Sequence, residues 1–388
     1  MSETIPLWLA EASPAPLPRR PLDRAPDVEV IGGGVTGCAC ALTLAEGGLR
    51  VRLYEGRTIA GGASGRNGGF ALGGGAMRYD VARETFGGDA ARAYWRLTEE
   101  YLDRLERLAR DALARPGSLR LAADEEELEQ LRLEHAALRE DGFAAEWRDP
   151  GALSPGLRRA FLGGIFNPHG GSLQPARFVL DLARRAVGAG VEVCERTRVE
   201  SLAELEAEQV VIATDGSGRG LLAELDEVIW PTRGQVVATE PLPERLFPYP
   251  HYARNGFDYW QQVPDGRLVL GGFRDSSIMS ELTDVEETTP VIQEALDAFL
   301  VELLGEMPAV EYRWAGIFGL TQDMLPLVGR IPGRDGTWVA AGYSGHGNVL
   351  GLMCGELVAG AILGRPHPIL ELFDPARLLG ATPAASPA

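Results

Sequence analysis

Residues 28–37 read VEVIGGGVTG, and what surrounds them decides the fold. The apolar run 28–31 reads as a short strand. Gly32, Gly34 and Gly37 then spell G-x-G-x-x-G ahead of a helical run at 38–45. Gly48 supplies a turn, residues 50–54 alternate as a second strand, and Glu55 closes it 18 residues beyond Gly37, near the spacing of about 20 expected of a dinucleotide-binding βαβ unit. The triplet alone is weak in a chain with 49 glycines. Strand, helix and acid at the right distances give it meaning.

Each position has a physical task. Gly32 permits the tight turn, Gly34 lets the backbone approach a pyrophosphate, and Gly37 lets helix and strand pack closely. Gly33, Val35 and Thr36 complete the turn, where free N–H groups and about half a positive charge face the phosphates. Glu55, followed by Gly56 and Arg57, accepts hydrogen bonds from ribose hydroxyls, and its charge repels the extra phosphate of NADP. These residues leave NAD and FAD both open.

Composition narrows the classes. A length of 388 residues implies two to three structural units at about 150 residues each. The sum of 37 basic and 55 acidic residues gives a net charge of −18, which opposes binding to nucleic acid. The sequence contains no lysine, so no Schiff base or amine base is available. Cys38, Cys40, Cys194 and Cys354 form no C-x-x-C pair and read as reduced structural thiols. The histidines lack metal-ligand spacing, so no metal is expected. The apolar run 349–363 contains Glu356 and is shorter than the roughly 20 residues of a membrane span; it reads as a buried helix. The N-terminus shows no secretory pattern, and a cytoplasmic protein with a proline-rich leading arm is expected.

The segment after Glu55 separates the two cofactors. Residues 61–70 read GGASGRNGGF. Within it Ala63, Ser64, Arg66, Asn67, Gly68 and Gly69 form a motif that resembles the loop of the D-amino-acid-oxidase superfamily of FAD-dependent enzymes, in particular its gamma-glutamylputrescine oxidase-like branch. Further segments follow in the family's order: Trp8, GSLQPARF at 171–178, VVIATDG at 210–216, RGQ at 233–235, DYW at 258–260, DGRLVLGG at 265–272, DMLPLVGR at 323–330 and AAGYSGHG at 340–347. The resemblance covers nearly the whole chain.

It implies an α/β (α+β) fold in which a Rossmann-like FAD-binding domain is interrupted by a mixed-sheet substrate domain with flanking helices. The expected boundaries are an N-terminal arm (1–27), FAD-binding segments (28–85, 169–228 and 314–370), substrate-domain segments (86–168 and 229–313) and a C-terminal tail (371–388). By the same resemblance the 63–69 loop follows the FAD pyrophosphate and ribityl chain, and Val199 offers its backbone to the adenine. Thr214 and Gly216 belong to a cofactor-binding turn in which Asp215 departs from the family pattern. The short 199–210 link implies a trimmed cofactor domain. The last helix begins near Gly347 and aims its N-terminus, with Gly345, Asn348 and Val349, at the flavin. Such a helix end stabilises negative charge by up to ~2 kcal/mol, or ~40 mV for a two-electron couple.

On the substrate side, residues 89–113 and 124–139 read as amphipathic helices and 230–273 as a sheet with a turn at 264–266. The resemblance implies that an amine or amino acid gives a hydride to FAD and leaves as an imine. Tyr259 matches a family tyrosine that orients the substrate, and His346 stands beside the flavin, so both are candidate catalytic residues. Gln261 replaces a common family arginine, with Arg274 as the candidate substitute; Tyr259, Gln261 and Arg274 are thus the candidate substrate residues. Some members of that family attach FAD through cysteine or histidine; no cysteine lies near Gly316 and no histidine in the 64–70 loop, so FAD is expected to be noncovalent. The electrons go to O2 or another acceptor. A glycine- or sarcosine-type oxidase or dehydrogenase and a noncatalytic flavin-binding subunit stay open as alternatives.

Overall fold

The computed structural model describes residues 5–13, 15–18 and 20–380. The chain divides into two compact units. One comprises residues 1–13, 65–178 and 233–317; the other comprises 14–64, 179–232 and 318–388.

The second unit holds a six-stranded sheet in the order Leu327–Arg330, Thr337–Ala341, Gln209–Ile212, Val28–Ile31, Val51–Tyr54 and Glu192–Cys194. All neighbours run parallel except the first pair. A strand covered on both faces needs apolar residues throughout, and Val28–Ile31 is buried at every position. Its one polar residue, Glu29, is fully buried but satisfied. It accepts the amides of Glu206 at 2.7 Å and Ala207 at 2.9 Å, and the Tyr54 hydroxyl at 2.8 Å. Those bonds tie the short 199–208 link to the sheet. The link holds a single 3-10 turn, Leu202–Glu204, and no strand, as its length implies.

Two helices of this unit, Val35–Glu46 and Gly347–Ile362, pack on each other with no room for larger side chains. A Cβ on Gly355 would lie 2.4 Å from the Thr36 carbonyl oxygen. The apolar run at the chain's end is therefore a buried helix, as read. Among the described residues no helix is long and apolar enough to cross a membrane. All four cysteines are buried, and none is in a disulfide.

The first unit contains an eight-stranded mixed sheet in the order Val310–Leu320, Trp230–Pro241, Arg267–Gly272, Asp258–Gln262, His251–Ala253, Ser118–Leu121, Gly164–Asn167 and Glu146–Arg148. Alternation along Asp258–Gln262 sorts its faces. Trp260 enters a core with Leu268, Leu270, Phe299 and Leu300, the last two from helix Pro290–Leu304. Tyr259 and Gln261 point to the opposite face, opposite Gly271 and Val269 of the next strand. A small antiparallel sheet of Phe70–Ala71, Gly171–Leu173 and Leu113–Ala114 carries the end of the glycine-dense loop.

The helices read at 89–113 and 124–139 are Gly88–Ala109 and Glu125–Glu140. The second starts at Asp124, whose side chain caps the Glu127 amide at 2.8 Å. The leading arm is less loose than its prolines suggest. It contains the helix Leu7–Ala12, in which Leu7 and Trp8 are buried. Residues 65–85, 169–178 and 314–317, assigned to the cofactor domain from sequence, cluster with the first unit. Of the expected C-terminal tail, 371–388, residues 381–388 lie outside the described residues, and the turns Leu370–Phe373 and Ala376–Leu379 belong to the second unit.

Candidate active site

In the second unit the glycine turn has the tightness its reading requires. Gly32 has φ +114°, and a Cβ on Gly37 would lie 1.8 Å from the Gly32 carbonyl oxygen. Helix Val35–Glu46 starts there with Gly34 as its N-cap residue and no cap from that residue's side chain. The Ser64 hydroxyl takes the first amide, Val35 N–H, at 3.0 Å.

Glu55 lies beside the turn. One carboxylate oxygen accepts the Gly33 amide and the other the Arg57 amide, each at 2.7 Å. Burial pushes its carboxyl up from the ordinary value, and the two amides pull it back down. Each oxygen keeps a further lone pair for a ribose hydroxyl. Val199 is buried, and neither its N–H nor its C=O bonds any described residue. A backbone with both groups open suits the edge of a purine. Turn, acid and open peptide together fit an adenine dinucleotide.

One carboxylate joins the 214–216 turn to the segments at 319 and 342. Asp215, at φ +47°, accepts Gly319 N–H at 2.9 Å on one oxygen and Gly342 N–H at 2.8 Å on the other. The residue that departs from the family pattern thus fastens two later segments. Thr214 precedes it, and a Cβ on Gly216 would strike the Phe318 backbone at 2.5 Å. Tyr343 donates its hydroxyl proton to Ala340 O at 2.7 Å, so the 2.8 Å bond between its hydroxyl and Thr36 has Thr36 as donor. That bond links the glycine turn to the segment holding Gly345, His346, Gly347, Asn348 and Val349. His346 is the N-cap residue of helix Gly347–Ile362, and its amide donates to Tyr343 O at 3.0 Å.

In the first unit, the loop after Ser64 lies against the open face of the large sheet. Trp314 Nε1 donates to Arg66 O at 2.7 Å, Trp8 Nε1 to Asn67 O at 2.6 Å, and Gln261 Nε2 to Gly68 O and, at 2.9 Å, to Gly69 O. Arg66 reaches Ala315 O and Glu286, each at 3.1 Å. Gln261 is 1% exposed. Its amide oxygen accepts from Ser172, so both ends of the side chain are occupied within the protein. The substrate role expected of it is not the one its contacts show.

Tyr259 is held between two glycines. A Cβ on Gly68 would lie 2.7 Å from its ring, and one on Gly271 2.4 Å. Phe70 meets the ring edge-on at 5.6 Å. None of the described residues hydrogen-bonds the Tyr259 hydroxyl, whose pKa is pushed up to about 12 by burial and eased by the charge of Arg274. Arg274 is half-buried, with its guanidinium 4.3 Å over the Phe257 ring. Burial lowers its pKa from the ordinary value. Trp260 lies in the core, and Phe257 serves as the platform under Arg274.

Sequence reading missed the roles of Trp8, Trp314, Ser172 and Tyr343. Trp8 and the segments holding Ser172 and Tyr343 had signalled only by their place in the family order, and the Trp8 bond spans 59 residues. The others bond across 89 to 307 residues of chain, a separation that no local pattern encodes. Among the described residues no group of His, Cys, Asp and Glu is placed to hold a metal.

The family model described as FAD dependent oxidoreductase (DAO) matches residues 27–361. The probable oxidoreductase OrdL of Haemophilus influenzae is 28% identical over 90% of this chain and 85% of its own length. Gamma-glutamylputrescine oxidoreductase of Escherichia coli is also 28% identical, over 87% of this chain and 84% of its own. Glycine oxidase of Geobacillus kaustophilus is similar in sequence, at 28% identity over 86% of this chain and 92% of its own. Its crystal structure is similar too, with a TM-score of 0.74 over 90% of this chain and 98% of that one at 25% identity.

Proposed function

Because the chain belongs to the DAO family of FAD-dependent oxidoreductases, we propose that it oxidises a primary or secondary amine, a polyamine derivative or an amino acid, to the imine. When bound, FAD supplies the acceptor for a hydride from the carbon beside the amine nitrogen. The chain's own residues bind, orient and exclude water. Gly32–Gly37 and the first turn of helix Val35–Glu46 would hold the pyrophosphate, Glu55 the ribose and the Val199 backbone the adenine. No covalent attachment is proposed, since the four cysteines are buried away from the 64–70 loop in sequence and that loop has no histidine. Four buried cysteines outside any disulfide also favour a reducing compartment such as the cytoplasm.

The observation that carries the substrate side is the Tyr259 hydroxyl, which lies within the charge influence of Arg274. A half-buried phenol hydroxyl with no partner among the described residues stands near a desolvated guanidinium. Both groups suit an amine that also bears a carboxylate, because a charge-assisted bond gains strength where water is excluded. Glycine oxidase and gamma-glutamylputrescine oxidoreductase, by their names, act on substrates of that kind. Tyr259 would orient the substrate so that its C–H bond addresses the cofactor, a contribution of position with no proton transfer required. His346, at the helix end, is assigned to cofactor proximity.

Anaerobic mixing of the FAD-loaded protein with a panel of amino acids, N-substituted glycines and polyamine derivatives tests the reading. Bleaching of the flavin's visible band by a carboxylate-bearing amine is expected. Bound FAD that no amine bleaches would assign the chain to the noncatalytic flavin-binding class. Turnover in air alone marks an oxidase, and turnover that needs an artificial acceptor marks a dehydrogenase.

A further inference from the structure

We propose that Trp8, Trp314 and Gln261 act as one set of positioning residues for the cofactor loop: their buried side-chain N–H groups bind four consecutive carbonyls, those of Arg66, Asn67, Gly68 and Gly69. The three side chains are 1%, 0% and 1% exposed. They come from three remote places in the chain: the leading helix Leu7–Ala12, the strand Val310–Leu320 and the strand Asp258–Gln262. The inference rests on the FAD reading.

Four carbonyls in a row facing buried donors have a stereochemical consequence. No peptide bond of the described residues is cis, and in a trans peptide the N–H of the next residue points opposite to the C=O. The carbonyl edge of the loop is therefore turned into the protein, and the amides of Asn67, Gly68, Gly69 and Phe70 face the other way. The Gly69 amide folds back on Asn67 Oδ1 at 2.8 Å. The Gly68 amide has no partner among the described residues. An N–H edge of fixed direction is what a ring that gains electrons needs beside it, since donors bind the reduced, more negative form more strongly.

A loop of this composition does not hold such an arrangement by itself. Gly68 and Gly69 lack side chains, and Gly69 has φ +77°, so the backbone is intrinsically free. The donors remove that freedom. Gln261 is itself oriented: the Ser172 hydroxyl gives its proton to Oε1, which leaves Nε2 as the end facing Gly68 and Gly69 and fixes which way the amide is turned. Leu173 N–H joins it on Gly69 O at 2.7 Å. Gln261, which replaces an arginine common in the family, thus works through the loop without touching substrate.

The test uses the full chain and the variants Gln261→Met, Trp8→Phe and Trp314→Phe. Each keeps much of the side-chain bulk and removes the N–H. Two readouts are taken: hydrogen exchange of peptides covering 65–71 in FAD-free protein, and the flavin midpoint potential in loaded protein. Each variant is expected to speed exchange of these amides about tenfold while peptides of helix Pro290–Leu304 stay unchanged. In Gln261→Met the affinity for reduced relative to oxidised FAD is expected to fall about tenfold, a shift of about 30 mV to more negative potential. Unchanged loop exchange and an unchanged potential in folded variants would overturn the proposal, as would a fall in melting temperature with no change in potential. Should Gln261→Met not fold, the two tryptophan variants decide by the same readouts. Failure of the wild type to bind FAD refutes the cofactor reading instead, and the exchange data still judge the loop.

Discussion

The Gly33 amide donates a 2.7 Å hydrogen bond to the carboxylate of Glu55, 22 residues away in sequence. Turn and acid are thereby set at one distance by the fold itself. Glu55→Ala removes both the preset spacing and the acceptor for the ribose. A hydrogen bond to a charged group contributes about 1.5–3 kcal/mol, so FAD affinity is expected to fall roughly ten- to hundredfold. Titration of FAD-free protein, followed by quenching of flavin fluorescence, measures it. Glu55→Gln, which keeps one acceptor oxygen, should fall between.

Tyr259 offers a sharper test, because its ring is fixed by glycines on both sides. In Gly271→Ala the new methyl group would lie 2.4 Å from the ring and must displace it. A misplacement of about 1 Å at a positioning group costs up to 10²-fold in rate. The expected result is a kcat/KM for amine oxidation reduced roughly ten- to hundredfold with FAD still bound. Tyr259→Phe, which removes only the hydroxyl, should show a smaller loss, dominated by KM. Equal activity in Gly271→Ala and the wild type would remove Tyr259 from the site.

Much of this was legible in advance, and the reason differs by region. The Gly32–Glu55 unit is encoded by local spacing, since a turn, a helix and a strand must follow one another within a few residues. The sheet containing Tyr259 and the helix from Gly347 were legible for the same reason, through alternation and an apolar run. The carbonyl partners of the 66–69 loop were not. Trp8, Gln261 and Trp314 look like core residues in any local window, and only the folded chain shows that the polar atom of each faces one loop. Gln261 drew attention as a missing arginine, and its buried side chain bonds Ser172, Gly68 and Gly69. Arg274, read from sequence as the candidate substitute for that arginine, is half-buried over Phe257.

His251 gives the fold an acid sensitivity with a defined sign. It is 1% exposed and stacked on Trp260 at 5.3 Å with ring planes 6° apart. Its Nδ1 has no hydrogen-bond partner among the described residues. Burial lowers its pKa to about 3 from the ordinary value near 6.5. The unfolded chain therefore takes up the proton first. Stability from the neutral ring is fully present above pH 6.5 and is lost as pH falls toward 3, at about 1.4 kcal/mol per pH unit. Asp258, raised to about 6 by burial, acts in the opposite sense and loses its contribution as pH rises through 6. The two are separated by comparing His251→Phe with the wild type. In urea unfolding from pH 7 to pH 4, the variant should lose stability less steeply by that one-proton slope, and parallel curves would contradict the assignment.

Asp215 shows how a single departure from a family pattern carries structure. Its two oxygens take the amides of Gly319 and Gly342, and in Asp215→Ala both amides lose their acceptor. Each unsatisfied buried N–H costs about 1–3 kcal/mol, so a loss of about 2–6 kcal/mol in unfolding free energy is expected. Asp215→Asn keeps one good acceptor and should lose about half. If the asparagine variant matched the wild type, one amide would be satisfied by other means, and the carboxylate would not be the tie between these segments.

The contact of Gly355 with Thr36 yields the last prediction. The two buried helices approach so closely that a Cβ on Gly355 would lie 2.4 Å from the Thr36 carbonyl oxygen, 3.1 Å from the Ala39 Cβ and 3.2 Å from the Cys40 amide nitrogen. Backbone atoms cannot swing aside as a flexible side chain does, so Gly355→Val has to push the helices apart. Overpacking of this kind costs about 1–3 kcal/mol. Movement of helix Val35–Glu46 also carries the glycine turn with it, because that helix begins at Gly34. Gly355→Val should therefore lower both the melting temperature and the affinity for FAD, although residue 355 lies two turns along its helix from Gly347. Gly364→Ala, at a site where no atom lies within 4 Å, is the control: its φ of +76° produces local strain alone, so it should destabilise the chain modestly and leave FAD binding unchanged.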